Sequence, residues 1–175
     1  MDVSKTNNAL AYHNIFPENF ELKLYKAFKS MKELGCDYFY FLGLDSGISY
    51  RFCTHDDWID LYHDEQFILN DPLKRAVESS KFIALPWQQL THLNYNERRS
   101  MNGRISFGIY NGLTVAKEFN KRKYIVTLAT ELKEHDLARY LMLEQIEKLE
   151  YFVYECMRLF NQYTALMSFT SNIVM

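Results

Sequence analysis

Trp58, Tyr62 and Asp71 carry the clearest chemistry in this chain by residue type and spacing. They lie in the run Trp58-Ile-Asp-Leu-Tyr62-His-Asp-Glu-Gln-Phe-Ile-Leu-Asn-Asp71-Pro72, and a second tryptophan follows at Trp87. Trp58 and Tyr62 stand at i and i+4, so on a helix both project from one side. That spacing fits a core stripe. It also fits a binding surface, because an indole N–H can only donate and wants an acceptor when buried, and a ligand carbonyl supplies one. Asp71 before Pro72 suits a helix N-cap with proline in the first helical position. A carboxylate inside an apolar cavity would equally demand a donor, such as a ligand amide N–H. Asparagine caps nearly as well as aspartate, so Asp71→Asn is expected to spare stability and to damage binding if the ligand contact exists. Trp87, after Pro86, reads as packing or as a flat face against a small ring. Gly112 reads as a tight turn, a positive φ, or a place of close approach.

Other chemistries find little support. Cys53 and His55 share a strand face, but no nucleophile, base and orienter converge around them, and the chain is not read as an enzyme. The five histidines form no H-x-H or H-E-x-x-H pattern, so no metal site is expected. No glycine-rich phosphate loop is present. Three cysteines, Cys36, Cys53 and Cys156, have neither metal spacing nor the even count of a disulfide framework. With twenty basic and twenty-two acidic residues, the net charge of −2 gives no electrostatic case for nucleic acid. The basic cluster from Lys117 to Lys123 reads as a solvated hairpin. No signal pattern or membrane-length apolar run stands out, so a cytoplasmic location is expected.

The elements that must position these residues follow from periodicity. The 175 residues suit one domain, and 48% hydrophobic content with thirteen Phe and thirteen Tyr leaves aromatic side chains to line a cavity. Residues 17–34 carry Phe20, Leu24, Ala27, Phe28 and Met31 at helical spacing, with Gly35 as the stop. Residues 37–44 and 48–54 read as a hairpin around Asp45-Ser46-Gly47. A helix from Trp58 to about Glu65, a second opening at Asp71-Pro72, and a third over 96–107 capped by Asn94 or Asn96 follow. Residues 113–119 and 123–130 read as strands. The second alternates, with Tyr124, Val126 and Leu128 on one face and Ile125, Thr127 and Ala129 on the other. A single long helix is expected over 134–165, and its apolar positions beyond one stripe (Tyr140, Phe152, Tyr163) suggest a dimer face. This order predicts an α/β (α+β) fold, an antiparallel sheet sandwiched between helices in the α-β-α manner of GAF- and PAS-like sensors.

In these residues the chain resembles the autoinducer-binding domain of LuxR-type quorum-sensing regulators. The six positions that mark that family all have counterparts here: Trp58, Tyr62, Asp71, Pro72, Trp87 and Gly112. The Trp-x3-Tyr-x8-Asp-Pro spacing matches, and Gly108-Ile-Tyr-Asn-Gly112-Leu-Thr114 resembles the family's G-x-x-x-G-x-T stretch. The resemblance implies an N-acyl homoserine lactone ligand, no cofactor, and a homodimer. Trp58 would donate to the lactone carbonyl and Asp71 accept from the amide N–H. Tyr62 and Trp87 would wall the headgroup, and Thr127 would reach an acyl-chain carbonyl or a water. Phe39, Phe41 and Phe52 are candidates for the acyl tail, while Pro72 and Gly112 are structural. Each buried methylene contributes about 0.8 kcal/mol, so pocket depth would set chain-length preference.

Three departures stand against the family pattern. Thr54 replaces a tyrosine four residues before Trp58 and is the expected ligand-binding hydroxyl there, short enough to need a water bridge to the amide carbonyl; the Asp71-to-Trp87 interval is one residue longer, and Ala116 replaces a proline. The family also joins this domain to a helix-turn-helix DNA reader, which residues 1–175 do not supply, so contact with DNA is expected only through such a domain. The expectation is a sensor domain from a longer regulator. The alternative is a stand-alone, sensor-like interaction module that pairs with and inhibits a full-length regulator without a small-molecule ligand.

Overall fold

A computed structural model describes residues 13–173. The elements in chain order are β1 (Asn14–Ile15), α1 (Glu18–Lys32), β2 (Tyr38–Asp45), β3 (Ile48–Cys53), α2 (Asp56–Asp64), α3 (Pro72–Glu78), β4 (Phe82–Pro86), α4 (Tyr95–Ser106), β5 (Tyr110–Phe119), β6 (Arg122–Thr130), α5 (Leu137–Leu143) and α6 (Ile146–Ile173), with short 3-10 turns at Phe67–Leu69 and Trp87–Gln89. The strands form one sheet in the order β1-β3-β2-β6-β5-β4. Every pairing is antiparallel except the parallel contact of β1 with β3.

The hairpins close where their sequences allow a positive φ. Ser46 and Gly47 adopt φ of 51° and 80° between β2 and β3, and Asn120 and Lys121 adopt 50° and 63° between β5 and β6. Two successive positive φ values match the right-handed twist of the flanking strands.

The period-two alternation divides the sheet into two unlike faces. Phe39 and Phe41 of β2, Phe52 of β3, Leu113 and Val115 of β5, and Tyr124, Val126 and Leu128 of β6 all enter the core beneath α1 and α6. Phe28 and Met31 of α1 and Phe152, Cys156 and Phe160 of α6 complete that core. Tyr38, Tyr40, Leu42, Thr114, Ile125 and Thr127 occupy the opposite face, below α2, α3 and α4. The result is the expected α-β-α sandwich, with the β6 alternation as its sequence predicts.

Three features differ from the sequence reading. Two edge strands, β1 and β4, were hidden: β1 has only two residues, and β4 lies in an apolar run that Pro86 ends. The expected helix over 134–165 is two helices. Asp136 caps α5 by accepting from Arg139 N at 3.3 Å, and the chain breaks at Glu144-Gln145. No glycine or proline marks this break; α5 lies against β5 and β6, whereas α6 runs along α1. Finally, Phe152 is buried, and Tyr163 leans on the core from outside it. The exposed apolar residues of α6 instead include Tyr151, Tyr154, Leu166, Met167 and Phe169.

Candidate ligand-binding site

A cavity of about 160 Å³ opens between the second face of the sheet and α2, α3 and α4. Its walls follow the strand register. Tyr38, Tyr40, Leu42 and Leu44 of β2 face it in sequence, with Thr127, Ile125 and Lys123 of β6 alongside, since Thr127 pairs with Tyr40 and Ile125 with Leu42. Trp58, Tyr62, Asp71 and Arg104 line one end. Ile68, Leu73 and Val77 roof the middle, and His13, Arg51, His63, Lys74 and Glu78 also contribute to its lining.

The polar end is organised by a charged residue that the sequence reading missed. Arg104 of α4, only 7% exposed, places Nη2 2.6 Å from Asp71 Oδ2. Tyr62 donates its hydroxyl to the same carboxylate oxygen at 2.8 Å, while Asp71 Oδ1 caps α3 by accepting from Leu73 N at 2.9 Å. Arg104 Nη1 reaches Ser100 Oγ at 3.3 Å and Met101 Sδ at 3.5 Å. The guanidinium lies 5.2 Å from the Trp58 ring, 5.6 Å from Trp87 and 5.8 Å from Tyr62, within cation–π range of all three. Burial works against the Arg104 charge, but Asp71 and then Tyr62 more than offset it and hold the pKa above its usual value. Burial and the Asp71 charge push the Tyr62 phenol well up, so it stays a donor. The sequence signal for Arg104 was Glu97, Ser100 and Arg104 at helical spacing, a polar stripe that α4 turns inward and buries.

The expected site residues separate into three groups. Trp58, Tyr62, Asp71 and Thr127 line the cavity together. Trp58 is 1% exposed, and its indole N–H meets no acceptor among the described residues. Trp87 and Gly112 act behind this wall. Trp87 Nε1 donates to Thr114 Oγ1 at 3.1 Å, and Thr114 stands 3.1 Å from Thr127 Oγ1, so the indole is tied through two hydroxyls to the cavity. Gly112 serves close approach rather than a positive φ, since a Cβ there would lie 2.4 Å from Cε2 of Trp87.

Phe39, Phe41 and Thr54 fall outside the cavity. Phe39 and Phe41, with Phe52, point to the opposite face of the sheet, into the core under α1 and α6. The residues that alternate with them, Tyr38, Tyr40 and Leu42, take the lining positions. Thr54 is spent on the sheet: its Oγ1 accepts from Phe39 N at 3.0 Å and touches His55 Nδ1 at 2.9 Å. The Asp71 geometry also corrects an expectation about stability. Asp71→Asn keeps the cap but leaves Arg104 buried without its counter-charge, a destabilising change.

Comparison with known proteins bears on the family and the fold. The autoinducer-binding domain profile matches residues 26–157. Among solved structures, the chain is similar to Escherichia coli SdiA (TM-score 0.63, 16% identity, covering 91% of this chain and 65% of that one). It is also similar to SdiA in complex with octanoyl-rac-glycerol (TM-score 0.61, 12% identity, 85% and 62% covered). A third similar structure is the N-acylhomoserine lactone-dependent LuxR-family factor CepR2 of Burkholderia cenocepacia (TM-score 0.52, 13% identity, 82% and 93% covered). The chain thus spans 62–65% of the SdiA chains it matches. No curated protein matches it by sequence.

Gly112→Ala tests the wall behind the cavity. The added methyl forces the Trp87 indole to move, and the expected loss is about 1–3 kcal/mol in chemical denaturation. An unchanged midpoint would contradict the close approach.

Proposed function

The chain belongs to the autoinducer-binding domain family of LuxR-type regulators, which are ligand-binding sensors, and on that premise we propose that its cavity holds an acyl-chain signal of the N-acyl homoserine lactone type. The observation that carries this reading is the Trp58 indole N–H, which lacks an acceptor among the described residues and lines a cavity otherwise walled by Tyr40, Leu42, Leu73, Val77 and Ile125. A headgroup carbonyl satisfies that donor, and the acyl tail runs over the aliphatic residues of β2, β6 and α3. Tyr40 also faces the cavity without a hydrogen-bond partner among the described residues, and it offers the phenol that Thr54 cannot. The octanoyl-rac-glycerol complex of SdiA and the N-acylhomoserine lactone dependence of CepR2 support an acyl-chain ligand. An open cavity at Trp58 favours a receptor over an interaction module with a filled core.

In this proposal the domain works in the cytoplasm as the sensor of a transcription regulator. Occupancy stabilises the folded state by mass action, about 2.7 kcal/mol at a hundredfold excess of ligand over Kd, and so gates dimerisation and DNA binding by a reader domain. The dimer face is the outer side of α6, where Tyr151, Tyr154, Leu166 and Phe169 are exposed. An apolar face of this kind marks an association surface.

Thermal unfolding against acyl homoserine lactones and related acyl amphiphiles of graded chain length tests the ligand. A midpoint rise of several degrees for one range of lengths is expected; no rise for any compound would overturn the reading. For the dimer, Tyr151→Glu with Leu166→Glu is expected to leave the fold intact and convert a sedimenting dimer to monomer. A wild-type chain that stays monomeric with ligand bound would refute the α6 face.

A further inference from the structure

Arg104 changes what the polar end of the cavity asks of a ligand. Both hydrogen bonds to Asp71 Oδ2 come from the protein, one from Tyr62 and one from Arg104, and Oδ1 is held by the α3 backbone. Three protein donors therefore already fill most of the roughly four acceptor positions of the carboxylate. Most of the unmet capacity belongs to groups that can only donate, the Trp58 indole N–H and the Nε–H and second Nη2–H of Arg104, none with an acceptor among the described residues, while the Tyr40 hydroxyl can donate or accept.

Resting on the receptor reading above, we propose that Arg104 occupies Asp71 in place of a ligand amide, so that this cavity selects acyl-chain signals whose headgroup offers neutral acceptor oxygens and needs no N–H. Esters, ketones and lactones fit that description. A ligand amide N–H that Asp71 no longer accepts loses about tenfold in affinity through its desolvation, whereas an ester oxygen at the same place loses nothing comparable. A carboxylate headgroup is disfavoured as well. The Arg104–Asp71 pair is already neutral, and burial keeps the Tyr38 and Tyr40 phenols that line the cavity uncharged, so a carboxylate set against the pair gains no free counter-ion from it.

The test is a matched set of ligands with one acyl tail: the N-acyl homoserine lactone, its ester isostere with oxygen in place of N–H, and the free fatty acid. Affinities are measured by calorimetry for the wild type and for Arg104→Met. The ester is expected to bind the wild type at least as tightly as the amide, and both more tightly than the acid. Arg104→Met frees Asp71 and is expected to shift the preference toward the amide by about tenfold. If Arg104→Met does not fold, the double variant Asp71→Asn/Arg104→Met removes the pair together, and the side-chain carbonyl it introduces at position 71 is expected to produce the same shift. An amide preferred about tenfold by the wild type would overturn the proposal, as would an acid that binds tightest or a preference that Arg104 variants leave unmoved. Failure of all three ligands at every tail length would instead overturn the receptor reading on which the proposal rests.

Discussion

The ion pair between Asp71 and Arg104 is the interaction on which the polar end of this fold depends. It joins the first turn of α3 to the last turn of α4, and through Tyr62 it fixes α2 to both. Two buried charges cost several kcal/mol each in lost hydration, so such a pair persists only where further hydrogen bonds complete it. Here they do: Leu73 N, Tyr62 and Ser100 each bond one of the two partners, and three aromatic rings surround the guanidinium. Three short helices are thereby held as one roof over the sheet. Gly103, beside Arg104, lets that roof close, because a Cβ there would meet Phe67 at 2.6 Å and Trp58 at 3.1 Å.

The two faces of the sheet do different work. Under α1 and α6 the aromatic rings of Phe28, Phe39, Phe41, Phe152 and Phe160 fill the space with contacts at 5.0–6.4 Å between centroids. This dense face is the scaffold. The other face keeps its polar groups and its cavity. On the proposed receptor reading, occupancy there stabilises the folded domain by mass action.

Much of this was legible in the sequence. Asn94 with Glu97 forms the capping box that opens α4, Asp71 caps α3 as Asp-Pro predicts, and β6 alternates as written. What stayed hidden has physical reasons. In β2 both faces are aromatic, Phe39 and Phe41 on one and Tyr38 and Tyr40 on the other, so alternation could not say which face bordered the cavity. Arg104 was passed over despite its polar stripe because a charged residue on a helix is ordinarily solvated, and its partner lies 33 residues away. The α5–α6 break carries no helix breaker, since packing against different neighbours sets it.

The central claim is that Asp71 and Arg104 act as one unit, and a double-mutant cycle on unfolding free energy measures that directly. Asp71→Asn and Arg104→Met are each made alone and then together. The account predicts that each single change destabilises the domain by several kcal/mol, while the double variant recovers much of the loss, a coupling of about 2 kcal/mol or more. Strictly additive effects would show that the two residues stabilise the fold independently, and would remove the foundation of the site as described.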